Sequence, residues 1–217
     1  MVRPSQYIDQ ILLDAGLELL PVTGCAGLSV RRLTQHAGVN LGMFHYHFKT
    51  KENFIKAVLE RTYEEMFSAL TLRVNPAHPP MQNLRDALGV LGSFGIKNGR
   101  LLVRIMGDAM NGEPLAADFL KANLPRHVEV IASLVQEAQW EGSMVKAPVP
   151  QVIAFMAGAV AAPVLAATAL QQNPTAQAVA KVVLSEEALA QRIEFALRGL
   201  TPSSGDKRDI RDTRDTR

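Results

Sequence analysis

Apolar residues recur at the three-to-four-residue spacing of an α-helix along almost the whole chain, and long alternating β-branched runs are missing. A chain patterned this way buries its apolar surface by packing helix on helix, so an all-α fold is expected. Its 217 residues suffice for one large domain or two small ones. Apolar residues make up 47% of them and charged residues 20%, which excludes disorder throughout. The net charge of +2, from 23 Lys and Arg against 21 Asp and Glu, is too near balance for a polycationic nucleic-acid coat, although a local basic surface remains open. The one cysteine, Cys25, excludes an internal disulfide framework and any multi-cysteine metal site, and fits a reducing cytoplasm.

Punctuation divides the pattern. Ser5 is expected to cap a first helix reaching about Leu20, with Pro21–Gly27 as a loop. Ser29 caps a short helix through Leu33 to Ala37, Gly38 turns the chain, and Asn40 caps another ending near His47. Thr50 opens a long helix from Lys51 to about Leu72, and the three prolines within Asn75–Pro80 mark a connector. Further helical stretches are expected near 81–97, 100–110, 114–141, 150–170 and 185–200, with Pro125 kinking or dividing the third. Residues 201–217 alternate Asp with Arg and read as a solvated, disordered tail. The N-terminus lacks the continuous apolar run of a signal peptide. Val152–Leu170 carries no charge and approaches the length that spans a bilayer. It is mostly Ala with Gly158 and Pro163 inside, so a buried helix of a soluble protein is expected in preference to a membrane span.

Chemistry concentrates between residues 28 and 51. Two helices of about two turns meet at Ala37-Gly38-Val39, where glycine supplies the φ > 0 conformation of a tight reversal. Leu33, Ala37, Val39 and Phe44 can form a small shared core that the first and fourth helices must enclose. Such a helix-turn-helix can place its second helix in a major groove, but similar corners occur in proteins that never touch DNA. Here Arg31, Arg32, Lys49, Lys51 and Lys56 face only Glu52 and Glu60 between residues 28 and 60. His45, Tyr46 and His47 add donors, and the helix N-termini at Ser29, Asn40 and Lys51 suit phosphates. His36, His45 and His47 do not suggest a metal, because positions 45 and 47 point about 200° apart on a helix.

The run from Ile8 to Glu60 resembles the N-terminal domain of the TetR/AcrR family of bacterial transcriptional repressors. The resemblance is carried by Ile11-Leu12 with Ala15, Gly24–Gly27, the Ala-Gly-Val turn, Gly42, the Phe44-to-Phe48 aromatic block and Lys51-Glu52-Asn53-Phe54. It implies a three-helix DNA-binding domain over residues 1–50, a connecting helix over 51–72, and an effector-binding and dimerisation domain over 81–200. Carried over position by position, it implies that Ser29 caps and holds a phosphate, with Arg31 and Arg32 reaching the backbone. It implies that Asn40 caps the recognition helix, that Leu41 and Met43 touch bases, and that Gly42 permits close approach. His45, Tyr46, His47 and Lys51 are implied phosphate contacts. Departures are His45 where the family has a tyrosine, Leu41 where a polar residue is common, and Thr34 for a small alanine.

In the remainder, the small residues Ala154, Ala157, Gly158, Ala161, Ala162 and Ala166 and the apolar face of 185–200 are monomer core or a partner surface. The resemblance implies a homodimer through about 150–170 and 185–200, hence a palindromic double-stranded operator and release by a small-molecule effector. Met66, Phe67, Phe94, Met106, Met110, Phe119 and Trp140 could line an effector pocket, with Arg104, Asp108, Asn111 and His127 as polar anchors. A set of this kind is ordinarily core. No nucleophile–base pair, di-iron Glu-x-x-His pair or phosphate-binding glycine loop stands out, so neither an enzyme nor a cofactor is expected. A helical dimeric ligand carrier without a DNA role, and a membrane-associated helical protein, are the competing readings.

Overall fold

The computed structural model describes residues 4–171 and 173–203, and the far end of the expected tail, from residue 204, lies outside them. Among the described residues there are nine helices and no strand. They are α1 (Pro4–Gly27), α2 (Val30–Ala37), α3 (Leu41–Phe48), α4 (Lys51–Arg73), α5 (Pro80–Met110), α6 (Pro114–Trp140), α7 (Val149–Leu170), α8 (Pro174–Val183) and α9 (Glu186–Gly199). The all-α expectation holds. The proposed cap Ser5 lies inside α1, and its side chain falls outside what is described.

Three differences from the sequence reading have local causes. The helix expected to stop near Leu20 runs through Pro21 and breaks only at Gly24, with φ 68° and ψ −177°, a conformation that favours glycine. The stretches expected at 81–97 and 100–110 form one continuous helix, as do those on either side of Pro125. The sequence reading missed α8, whose cap is Asn173: its side chain accepts from Thr175 N–H, and Pro174 occupies the first turn.

The chain forms two compact units. The first takes residues up to Ser68 with Asn98–Pro125, and the second takes Ala69–Lys97 with the chain from Arg126 onward. In the first, Leu12, Leu20, Leu33, Phe44, Phe54 and Val58 are fully buried in one apolar cluster that also takes in Leu101 and Ile105 of α5. Burying a side chain of this size contributes about 1.5–3 kcal/mol, so this cluster fixes how α1, α2, α3 and α4 cross.

In the second unit, buried Asn83 clamps the connector before α5, accepting from Asn75 N–H at 3.0 Å and donating to Asn75 C=O at 2.9 Å. Gln139 donates to the carbonyls of Val145 and Ala147, shaping the turn between α6 and α7. Arg85 of α5 grips Glu194 of α9, and Ser93 donates to Glu186 at 2.8 Å. Leu189, Ile193, Ala196, Leu197 and Leu200, expected as a partner face, are mostly satisfied inside their own chain. α7 is long and apolar enough to cross a membrane, and most of it is uncovered in this single chain.

Candidate nucleic-acid interface

Side-chain caps start both short helices. Ser29 Oγ accepts from Arg32 N–H at 3.4 Å, and Asn40 Oδ1 accepts from Met43 N–H at 2.9 Å. Between them Gly38 adopts the left-handed conformation, φ 65° and ψ 26°, that the reversal requires. Phe44 then sets the rotation of α3. It is fully buried, with ring centroids 5.8 Å from Phe48 and 5.5 Å from Phe54, and Phe48 meets Phe54 edge-on at 5.0 Å. Because residues one turn apart share a face, burying Phe44 turns Leu41, Gly42, His45 and Tyr46 outward. Tyr46 is 75% exposed.

The connection to α4 is strained. Lys49 has φ 64° and ψ −57°, and Thr50 N–H donates to Phe48 C=O at 2.7 Å, making a γ-turn of the rare positive-φ form. It leaves Lys49 exposed while Thr50 caps α4 by accepting from Asn53 N–H.

Of the five expected positive charges, Arg31, Arg32 and Lys49 are exposed and make no ion pair among the described residues. Lys56 pairs with Glu60 at 3.6 Å, and Lys51 Nζ donates to Ala26 C=O at 3.1 Å, tying α4 to the end of α1. Two expected contacts are less open than the rest. Met43 is half-buried, and the His47 side chain is only 10% exposed with Nδ1 2.5 Å from Asp9 Oδ1. His47 Nε2 is itself buried and has no hydrogen-bond partner among the described residues, so neither ring nitrogen is presented outward. His36 Nε2 meets Glu18 Oε2 at 2.7 Å. Sequence reasoning missed both acidic partners on α1, because residues nine and eighteen give no local sign of what lies across from them.

The proposed pocket residues are divided between the two units. Phe94, His127 and Trp140 fall in the second unit, and the other eight in the first. Met110 and Trp140 are each 87% exposed, Met106 is also exposed, and Asn111 donates to Gly107 C=O on the surface. Met66 is buried, while Phe67 stacks on Tyr63 at 5.9 Å and Phe119 meets Tyr63 edge-on at 6.2 Å. Arg104 and Asp108 hold the broken end of α1: Arg104 donates to Thr23 C=O at 3.1 Å, and Asp108 accepts from Cys25 N–H at 2.8 Å. Burial depresses the basicity of the His127 ring. Among the described residues no group of three or more His, Cys, Asp or Glu could hold a metal ion.

A capped pair of short helices with an outward aromatic, histidine and glycine face, flanked by arginines without ion pairs among the described residues, has the geometry that lets a second helix enter a major groove. Residues 12–58 match the family model of bacterial regulatory proteins of the tetR family. The chain carries a tetR-family DNA-binding domain. The tetR-type match runs from within α1 into α4 and so takes in the whole of the capped helix-turn-helix described above.

The likeness of fold extends further. A Clostridium perfringens protein described as a candidate fatty acid metabolism regulator is 17% identical, with a TM-score of 0.68 over 89% of this chain and 100% of that one. A regulatory protein of the tetR family from Rhodococcus RHA1 is 14% identical, with a TM-score of 0.65 over 91% and 98%. The haemolysin II transcriptional regulator HlyIIR is 18% identical, with a TM-score of 0.62 over 92% and 99%. No curated protein matches the chain significantly.

Proposed function

We propose that this tetR-family chain is a cytoplasmic homodimeric repressor that binds a palindromic double-stranded operator through α3 and is released by a small-molecule effector. The observation that carries the reading is the rotation of α3: buried Phe44 leaves Leu41, Gly42, His45 and Tyr46 on one exposed face. Leu41 offers an apolar contact of the kind that suits thymine methyl groups. Arg31 and Arg32, beside the N-terminus of α2, supply phosphate contacts that fix register, and Tyr46 adds a hydroxyl donor. Dimerisation uses the uncovered small-residue face of α7 together with α9, so a second copy rather than lipid covers that apolar helix. The effector acts by preferring one conformation of the dimer, and a coupling of about 1–3 kcal/mol weakens operator binding about 5–150-fold. The work is binding rather than catalysis.

Selection from a random duplex pool with purified protein at near-physiological salt tests this. An enriched palindrome supports a dimeric sequence-specific regulator. Salt-sensitive retention without an enriched motif rejects base readout by α3. No retention by folded protein favours the ligand carrier without a DNA role.

A further inference from the structure

His45 and Lys49 hold each other at the end of α3. Lys49 N–H donates to His45 C=O at 3.2 Å, and the His45 ring Nδ1 lies 3.1 Å from Lys49 C=O. In a continuing helix the carbonyl of residue 49 would point along the axis, away from residue 45. The non-helical φ and ψ of Lys49 let it meet the ring instead. A carbonyl oxygen only accepts, so Nδ1 carries the hydrogen and donates. In the neutral ring Nε2 is then an acceptor. It sits on an exposed side chain and makes no hydrogen bond among the described residues.

That lone pair does not suit its surroundings. Tyr46 and Lys49, both exposed beside His45, offer a hydroxyl and a cation that suit phosphate oxygens. A phosphate oxygen also only accepts, so it cannot bond to a neutral Nε2. The charged ring has hydrogens on both nitrogens, and it alone can keep the Lys49 bond while donating to phosphate. A base edge is the less suitable target, because the residues of a recognition helix that read bases are its N-terminal ones, whereas His45 lies in the last turn of α3.

The carboxylates on the helices around α3 are engaged elsewhere. On α1, Asp9 meets His47, Asp14 meets Arg61 of α4, and Glu18 meets His36 of α2. On α4, Glu52 accepts from the Thr50 hydroxyl and Glu60 pairs with Lys56. The remaining charges there are cations, Arg31 and Arg32 of α2 and Lys51 of α4, with Lys51 tied to Ala26 C=O. A counter-charge for a protonated His45 therefore comes from outside the chain.

We propose that His45 engages a DNA phosphate only as an imidazolium, so that each subunit takes up a proton when it binds duplex DNA, and that the Lys49 carbonyl imposes this by fixing the ring hydrogen on Nδ1. This rests on the reading of α3 as the DNA-binding helix and adds a proton to that equilibrium. The complex binds more protons than the free protein, so affinity falls as pH rises, by about tenfold per pH unit for each proton taken up.

Calorimetry at pH 8 in two buffers of different ionisation enthalpy counts the protons. The probe is the duplex enriched by selection or, where none is enriched, the random duplex pool, because a phosphate contact is independent of sequence. Wild-type protein is expected to take up about one proton per subunit more than His45→Gln. His36→Gln, which removes the other exposed histidine of the helix-turn-helix, is expected to keep that uptake. Equal uptake by wild type and His45→Gln overturns the proposal and leaves Nε2 as an acceptor for a base amino group. Uptake that disappears in His36→Gln instead also overturns it. Failure of folded protein to bind any duplex at any pH overturns both this proposal and the DNA-binding reading beneath it.

The tautomer is read without DNA. Long-range proton–nitrogen NMR of the nitrogen-15-labelled protein at pH 8, with the His45 signals assigned by their loss in His45→Gln, is expected to place the hydrogen on Nδ1. A hydrogen on Nε2 would let the neutral ring donate to phosphate and overturns the proposal, whatever the DNA affinity.

Discussion

The Asp108 carboxylate accepts a 2.8 Å hydrogen bond from the backbone N–H of Cys25, the residue after the break in α1 at Gly24. Arg104, one turn earlier on α5 and 3.0 Å from the same carboxylate, donates to Thr23 C=O on the other side of the break. Asp108→Ala leaves a half-buried N–H without its acceptor and should cost about 1–3 kcal/mol. Gly24→Ala should cost more, because its positive φ is strained for alanine and the new Cβ would collide with Arg104 and Asp108. Thermal unfolding followed by circular dichroism measures both. An unchanged Tm for Asp108→Ala would show that the bond contributes nothing.

The thiol of Cys25 should be inert in the folded protein. It is buried, and its pKa is pushed up to about 12, first by burial and then by the Asp108 carboxylate. Thiolate is the reactive form, so iodoacetamide at pH 8 should leave the native protein unlabelled over a period that fully labels it in urea. Mass spectrometry reads the result, and labelling of the native protein at the rate of a free thiol would contradict the burial.

Much of the fold was legible because its signals are local. Ser29, Asn40 and Thr50 each accept a hydrogen bond from a backbone N–H three residues ahead, as expected of helix caps. Gly38 is left-handed where the turn demanded it, and the Phe44–Phe48–Phe54 cluster follows from their spacing. What stayed hidden depends on residues distant in sequence. His47 reads as a phosphate donor until Asp9 of α1 is seen against it. Arg104 and Asp108 read as pocket anchors, yet α5 places them beside the broken end of α1, more than eighty residues back. The α1 break was misplaced because Pro21 is compatible with a helix, whereas the φ of Gly24 is not.

Lys49 should be a position where glycine stabilises the fold. Its φ of 64° and ψ of −57° are strained for any side chain, by about 1–3 kcal/mol. Lys49→Gly should therefore raise the Tm, while Lys49→Ala, which loses the same charge but keeps a Cβ, should not. Both should bind duplex DNA less tightly if Lys49 contributes to phosphate attraction. Equal Tm values for the two variants would show that the turn is unstrained.

The Arg85–Glu194 bridge between α5 and α9 makes a signed pH prediction. The hydrogen bond from Arg85 holds the Glu194 carboxyl below the usual carboxylate range, and Glu194 holds the Arg85 guanidinium above its own. A carboxyl depressed in the folded state stabilises above its unfolded pKa, and that contribution is lost as pH falls through the folded value. The bridge is about one-third exposed, so solvent screening limits it to ~0.2–1 kcal/mol. Arg85→Gln should lower the Tm at pH 7 and narrow its gap to wild type below about pH 4. A gap independent of pH would mean that packing, not the ion pair, is lost.

Arg32 and His47 separate the two ways a residue of the helix-turn-helix can affect DNA binding. Arg32 is exposed and makes no ion pair among the described residues, so Arg32→Ala should leave the Tm unchanged while reducing the salt dependence of operator binding by about one counterion per subunit. His47 lies against Asp9 with its ring turned inward, so His47→Ala should lower the Tm and leave the salt dependence as it was. Leu41→Ala, on the exposed face of α3, should do neither. It should instead cost about 1–3 kcal/mol at the preferred site and relax selection at particular base pairs. Binding titrations at several salt concentrations, run beside thermal unfolding, distinguish the three. If His47→Ala reduced the salt dependence by one at unchanged Tm, His47 would be a phosphate contact after all, and the Asp9 pairing would have to open when DNA binds.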